Sequence, residues 1–268
     1  MAPLASRKTN LASRKTIIGG LTVIGLIVLW FVLTTFTGLV TGARFPSPAE
    51  FWLSLNQING RGYAGSTLAS HALHSLKLVL MGFTVAVLTG VPLGLWMGWS
   101  RRAEAFINPV FLIIRPIPPL AWIPLAILWL GLGDAAKILV IWFSAFVPSV
   151  INAFTGVRNI EKPILEAARM LGTPRWRMVR EVILPASLPM IFTGLRLSLQ
   201  ASWTTLVAAE LVGALVGVGF VLNMAQQDIY PGMILVGMVT VGILGWATTL
   251  LLARIERQAL AWNVAARD

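Results

Sequence analysis

Cysteine is absent from the 268 residues, and charge is scarce, at 12% against the ~25% of an ordinary soluble domain. The first absence removes disulfides, thiolate metal ligands and a cysteine nucleophile together. The second leaves too few charges to cover a 29.0 kDa globule in which 57% of residues are apolar and mean hydropathy is +0.80. Disordered, collagen-like and coiled-coil chains are excluded by the same composition. Histidine is nearly absent too. His71 and His74 stand three apart and can share a helix face, but with no third ligand nearby they read as an interfacial polar pair, and no metal is expected. No G-x-x-x-x-G-K-[ST] occurs, so the chain has no loop of its own to cradle ATP phosphates. Internal repeats of 20–50 residues and low-complexity tracts are also missing.

What is present is apolar sequence in long blocks. Segments 16–43, 78–100, 138–157 and 229–253 contain no Asp, Glu, Lys or Arg, and each is long enough to cross a ~30 Å hydrocarbon layer as a helix. Reading breakers and interruptions together predicts an all-α polytopic membrane protein with six spans near 17–40, 76–99, 107–132, 137–157, 187–214 and 231–253. Ile17–Val40 follows a basic tail as a signal peptide would, but it exceeds the ~7–15 apolar residues of a signal h-region and is taken as a retained span. The third span holds Pro109, Pro116, Pro118, Pro119 and Pro124 and should kink or break. The chain then divides into a tail at 1–16, a first span at 17–40, a connection at 41–75 with a short surface helix near Glu50–Asn56, a core at 76–257 and a second tail at 258–268.

The net charge of +11 would suit nucleic acid, but its distribution does not. Lys and Arg sit in short segments beside the spans, with no interleaved aromatics for stacking bases, and nucleic acid is excluded as a partner. Fifteen of the 21 fall in the N-terminal tail, 100–106, 158–186 and the C-terminal tail. Arg44, Arg61, Lys77 and Lys137 face the opposite side, while Arg115 and Arg196 fall inside spans. The positive-inside rule therefore predicts that both termini are cytoplasmic.

Segment 158–186 is too long for a simple connector. Glu166, Ala167, Ala168, Arg169, Met170 and Leu171 are mostly helix formers, followed by Gly172 as a left-handed cap. Thr173 and Pro174 then open a second helix, Arg175 to Ile183, expected to end before Leu184-Pro185. The pattern predicts a rigid helical elbow in the cytosol; a plain charged surface loop is the alternative on these cues alone.

The string Glu166-Ala167-Ala168, Gly172, Val182, Leu184-Pro185 resembles the cytoplasmic signature of permease subunits of bacterial ABC importers, with Val182 where the family favours Ile. Arg115-Pro-Ile-Pro-Pro-Leu-Ala-Trp-Ile-Pro-Leu and Trp203-Thr-Thr-Leu-Val-Ala-Ala-Glu-Leu resemble the taurine, aliphatic sulfonate and nitrate branch, taurine permeases most of all. The resemblance covers about 75–262 and implies a type I importer permease fold. It also implies a second copy of the chain, two cytoplasmic ATPase subunits holding ATP and Mg, and a periplasmic or lipid-anchored binding protein. In such a complex Glu166, Ala167, Ala168, Arg169, Gly172, Leu184 and Pro185 would carry ATPase coupling, and the chain itself would bind no cofactor and catalyse nothing.

Candidate path residues follow from charge in apolar spans. An arginine near the bilayer centre costs ~2.5–3.5 kcal/mol even on the lenient scale, so Arg115, Arg196 and Glu210 each need a partner or a wet cavity. Arg196, Gln200, Trp203, Val207 and Glu210 recur at three or four residues and share a face of the fifth span. Arg115, Arg196, Gln200, Trp203 and Glu210 are therefore the candidates for the path; structural pairing or snorkelling competes for the two arginines, Glu210 leans towards a structural role, and Trp203 reads first as packing. A positive interior favours an anionic or zwitterionic solute. Taurine or another sulfonate leads, with nitrate, bicarbonate-like anions, aromatic carboxylates or a pyrimidine precursor as alternatives. A secondary transporter would want more interior acids or an inverted repeat.

Overall fold

The computed structural model describes residues 4–36 and 45–262; the end of the first expected span and the last residues of the C-terminal tail lie outside them. The described residues are helical with no strand. Helix α1 (Leu4–Phe31, closing in a π-helical turn at Val32–Phe36) includes most of the expected N-terminal tail. Helices α2 (Pro48–Gly60) and α3 (Leu68–Trp99) follow. The third span is broken: α4 (Arg101–Ile114) and a second arm, a 3-10 turn at Pro119–Trp122 leading into α5 (Ile123–Leu130), meet at 82°. Then come α6 (Asp134–Arg158), α7 (Lys162–Met170), the short α8 (Arg175–Arg177), α9 (Leu184–Gly213), α10 (Val218–Gln227) and α11 (Pro231–Ala259). Five of these helices, or six spans with the broken pair counted as one, are long and apolar enough to cross a membrane.

Helices α3, α6 and α9 form the centre. A Cβ on Gly94 of α3 would lie 2.4 Å from the Val150 carbonyl oxygen of α6, so the two backbones approach as only glycine permits. Between α6 and α9 hydroxyls replace glycine. Ser149 and Ser198 lie 2.8 Å apart, Ser198 also donates to the Ala145 carbonyl at 2.8 Å, and Thr205 donates to Ser144 at 2.7 Å. Each hydroxyl spends its proton on a neighbouring helix, which keeps a polar seam satisfied in an apolar core. Helix α1 stands apart. The 18–35 stretch is unburied, and Trp30 ties it to the bundle by donating to the Pro46 carbonyl at 3.0 Å and packing edge-on against Phe45 and Phe51.

Four expectations need correction. The second span starts at Leu68, not 76, because the polar stretch His71–Ser75 that reads as loop finds buried partners and stays helical. The elbow's second helix does not stop before Leu184-Pro185. Met178–Ile183 form a π-helical turn in which the Leu184 N–H donates to Val179, five residues back, and this wider turn lets Pro185 follow without breaking the rod. Helix α10 is not among the expected elements; it is short, has no local side-chain cap at its start, and packs Val221 and Ala225 against Ile58, Met233 and Val236. The surface helix near Glu50–Asn56 extends over Pro48–Gly60, opened by a capping box in which Ser47 and Glu50 serve each other's backbone N–H.

Candidate functional site

The exposed face of α9 carries Thr193, Arg196, Gln200 and Thr204 at helical spacing. On this face an open groove of about 460 Å³ runs between α9 and α11, lined by Arg196, Gln200, Trp203, Thr204 and Val207 on one wall and Val241, Gly245 and Thr249 on the other. Trp203 is buried at the groove wall and donates through its indole N–H to Thr248 at 3.1 Å. Arg196 reaches Glu256 of α11 and donates to its carboxylate, so the guanidinium lies level with the last turns of that helix and not at mid-span. Glu256 did not stand out in the sequence because it sits among Arg254 and Arg257 beyond the apolar run.

Glu210 does not join these residues. It is fully buried, accepting from the Ser75 hydroxyl and from the Gly219 backbone N–H, both at 2.7 Å. Ser75 in turn accepts from the Val218 N–H at 2.9 Å, and His71 Nδ1 accepts from the Gly217 N–H at 3.0 Å. Three side chains thus bind the otherwise unpaired N–H groups that open α10. The site admits no other residue at Gly217: φ is +140°, and a Cβ would lie 2.2 Å from a Glu210 oxygen. The two histidines divide here. Nε2 of His71, buried in the bundle, faces the Tyr63 carbonyl at 3.1 Å, while His74 pairs with Asp134 at 3.2 Å. The described residues hold no cluster of three or more possible metal ligands. At the same end Tyr63 donates to Asp228, and burial followed by this carboxylate raises its pKa well above the ordinary phenol value.

Arg115 ends α4 at the break in the third span. It borders a separate depression of about 240 Å³ with Trp122, Phe143, Ser144, Pro148 and Ala201, on another side of α9 from the groove. The indole of Trp122 stacks on Phe143 at 4.2 Å beside it. Arg115 makes no ion pair among the described residues. The two span arginines therefore flank α9 and do not share one cavity.

The elbow is α7, a turn, and α8 running into α9. Gly172 has φ +69°, the left-handed geometry expected of it. Its neighbours divide by face. Ala168 points inward against Val157, Met178 and Ile183, so it is spent on the bundle and not offered outward. Glu166, Ala167 and Arg169 are exposed, and Leu184 and Pro185 are half-buried in the rod. Three large apolar side chains, Met170 and Leu171, which the sequence marks only as helix formers, and Trp176, stand 87%, 85% and 71% exposed around the turn. Glu104 at the start of α4 pairs with Arg158 at the end of α6, which also stacks on Phe154, fixing the base of the elbow to the broken span.

An all-helical bundle of this size, with five or six spans long and apolar enough to cross a membrane and a helical elbow at one end, is the architecture of a multi-pass membrane protein. Residues 90–259 match the family of binding-protein-dependent transport system inner membrane components, and the chain belongs to that family. It is 34% identical over 239 residues to the taurine transport system permease protein TauC of Escherichia coli, covering 89% of this chain and 86% of that one. It is 33% identical to the putative aliphatic sulfonates transport permease protein SsuC of Bacillus subtilis, over 89% and 84% of the two chains. With the bicarbonate transport system permease protein CmpB of Synechococcus elongatus the identity is 32%, over 89% and 87%. Among solved structures the MetNI methionine ABC transporter, in inward-facing conformations, has a chain that aligns with TM-score 0.64 at 20% identity, over 72% of this chain and 95% of that one, which supports the fold. The protein is thus an ABC importer permease for a small solute, a transport subunit and not an enzyme.

Proposed function

We propose that two copies of the chain enclose the path by which a small acidic or zwitterionic solute, taurine or another sulfonate foremost, enters the cytosol. One observation carries this: a half-exposed arginine with Gln200 and Thr204 lines an open groove within otherwise apolar spans. Polar side chains on the open face of a span require water or a polar partner, and a path at a subunit boundary supplies both. Taurine and sulfonate permeases among the relatives favour a sulfonate; the bicarbonate permease favours a second reading with a smaller anion. Either acid group suits the open edge of Arg196.

The energy comes from two ATPase subunits that bind ATP and Mg, and the solute from a periplasmic or lipid-anchored binding protein. The elbow docks on the ATPase through Met170, Leu171 and Trp176, with Glu166 and Arg169 as charged contacts, since exposed large apolar residues rimmed by charge are what a partner surface buries. The continuous rod from Arg175 to Gly213 then carries a displacement of the elbow directly to the groove wall. This reading puts the elbow and both termini in the cytosol, in the bacterial inner membrane. Uptake of labelled taurine and bicarbonate into vesicles holding the full complex tests it. ATP-dependent taurine accumulation is expected, and uptake of bicarbonate alone would select the second reading.

A further inference from the structure

Arg196 carries its own counter-ion, and the two ends of the pair are unequal. The Glu256 side chain is 15% exposed, whereas that of Arg196 is 51% exposed. A guanidinium offers five N–H donors in a planar fork, and one nitrogen, Nη2, is engaged with Glu256. The remainder borders the groove beside Gln200 and Thr204. Glu256 has no other cation within ion-pair distance among the described residues. A sheltered carboxylate therefore holds one edge of a cation whose other edge is open.

We propose that Glu256 is a specificity-determining residue of the groove: its carboxylate competes with the acid group of the solute for Arg196. The inference rests on the groove being the translocation path. An unpaired guanidinium in a partly desolvated groove would bind a sulfonate strongly and release it slowly, and strong binding at an intermediate point slows conduction. A resident carboxylate makes entry an exchange of one charge-assisted hydrogen bond for another. The solute pays little to enter and is displaced by Glu256 as it leaves. An anion gains from this arrangement; a cation meets a pair whose carboxylate is sheltered and whose exposed edge is positive.

The test is uptake of labelled taurine, at varied concentration of loaded binding protein, by the full complex in vesicles, with complex yield measured alongside. Glu256→Gln removes the competitor and should lower the apparent KM and the turnover together, each by about tenfold. Arg196→Gln should instead raise KM. The exchanged pair, Arg196→Glu with Glu256→Arg, restores an ion pair and hence assembly, but turns a negative edge to the groove; its taurine uptake should stay below about a tenth of wild type. A merely structural pair is indifferent to polarity. Recovery of uptake in the exchanged pair to within about twofold, or a Glu256→Gln effect confined to complex yield, overturns the proposal while leaving the path intact. If the wild-type complex takes up no acidic solute, the path reading itself fails first.

Discussion

Helix α9 carries two charged residues about 21 Å apart along its axis, and their surroundings are opposite. Glu210 is sealed, with both carboxylate oxygens engaged by Ser75 and the opening turn of α10. Arg196 is half-exposed, with one side-chain partner and an open groove beside it. Charge on one apolar helix has thus been accommodated in two ways. A charge that is buried and hydrogen-bonded on both oxygens positions a helix, whereas a charge left partly open to a groove is, on the proposed reading, available to something that passes. Burial and saturation of donors separate the two roles; charge and helix face do not.

The largest effect should come from the sealed end. Glu210→Ala strands the Ser75 hydroxyl and the Gly219 N–H without an acceptor, at a cost of about 2–5 kcal/mol. Complex yield and melting temperature should fall sharply, while uptake per assembled complex stays near wild type. Normal assembly with selective loss of uptake would exchange the roles assigned to the two ends.

The elbow supplies the next largest. Gly172→Pro imposes a φ near −65° where the turn needs +69°, in a segment packed on the bundle only through Ala168 and its neighbours. Uptake and transport-stimulated ATP hydrolysis should drop by more than about tenfold with insertion unchanged. Replacing Glu166 and Arg169 together by Ala should act in the same direction. A cysteine placed at Arg177 should resist an impermeant thiol reagent in intact cells while one at Ser66 reacts; the chain has no native cysteine to confuse the comparison. Labelling at Arg177 from outside would invert the orientation and remove the elbow from any ATPase.

A smaller effect belongs to the groove. Gln200→Leu with Thr204→Val removes polarity from exposed positions whose side chains bridge no other helix among the described residues, so stability should hold. Uptake of taurine should fall about three- to tenfold. A fall in melting temperature in step with uptake would make the groove another structural seam.

Local signals account for what could be read in advance. Gly172 after a run of helix formers announced the elbow, and five prolines announced the break at 115–118, because both are decided within one or two turns of chain. The apolar blocks announced the spans. The polar clamp was invisible for the converse reason: Ser75 lies 135 positions from Glu210, and neither residue type nor spacing links them. The pairing of Arg196 with Glu256, 60 positions on, was hidden in the same way. Helix α10 has no local side-chain cap to mark its start and only Asp228 at its end, and Pro185 looks like a stop because a π-helical turn leaves no trace in residue type.

Trp203 lies between the two regimes and should give the smallest change. It borders the groove, as a path residue would, yet it is buried and its N–H is engaged by Thr248, as in the clamp. If saturation decides the role, the ring is packing and its hydrogen bond is a modest tie between α9 and α11. Trp203→Phe keeps an aromatic ring at the wall and removes the indole N–H, which Thr248 can spare because its own hydroxyl already donates to the Leu244 carbonyl at 2.9 Å. The expected cost is about 1 kcal/mol, visible as a melting-temperature shift of a few degrees, with uptake per complex within about twofold of wild type. A change in KM for taurine with no change in melting temperature would show that a buried, hydrogen-bonded side chain can still contact the solute, and the rule drawn from Glu210 and Arg196 would no longer separate the two ends of α9.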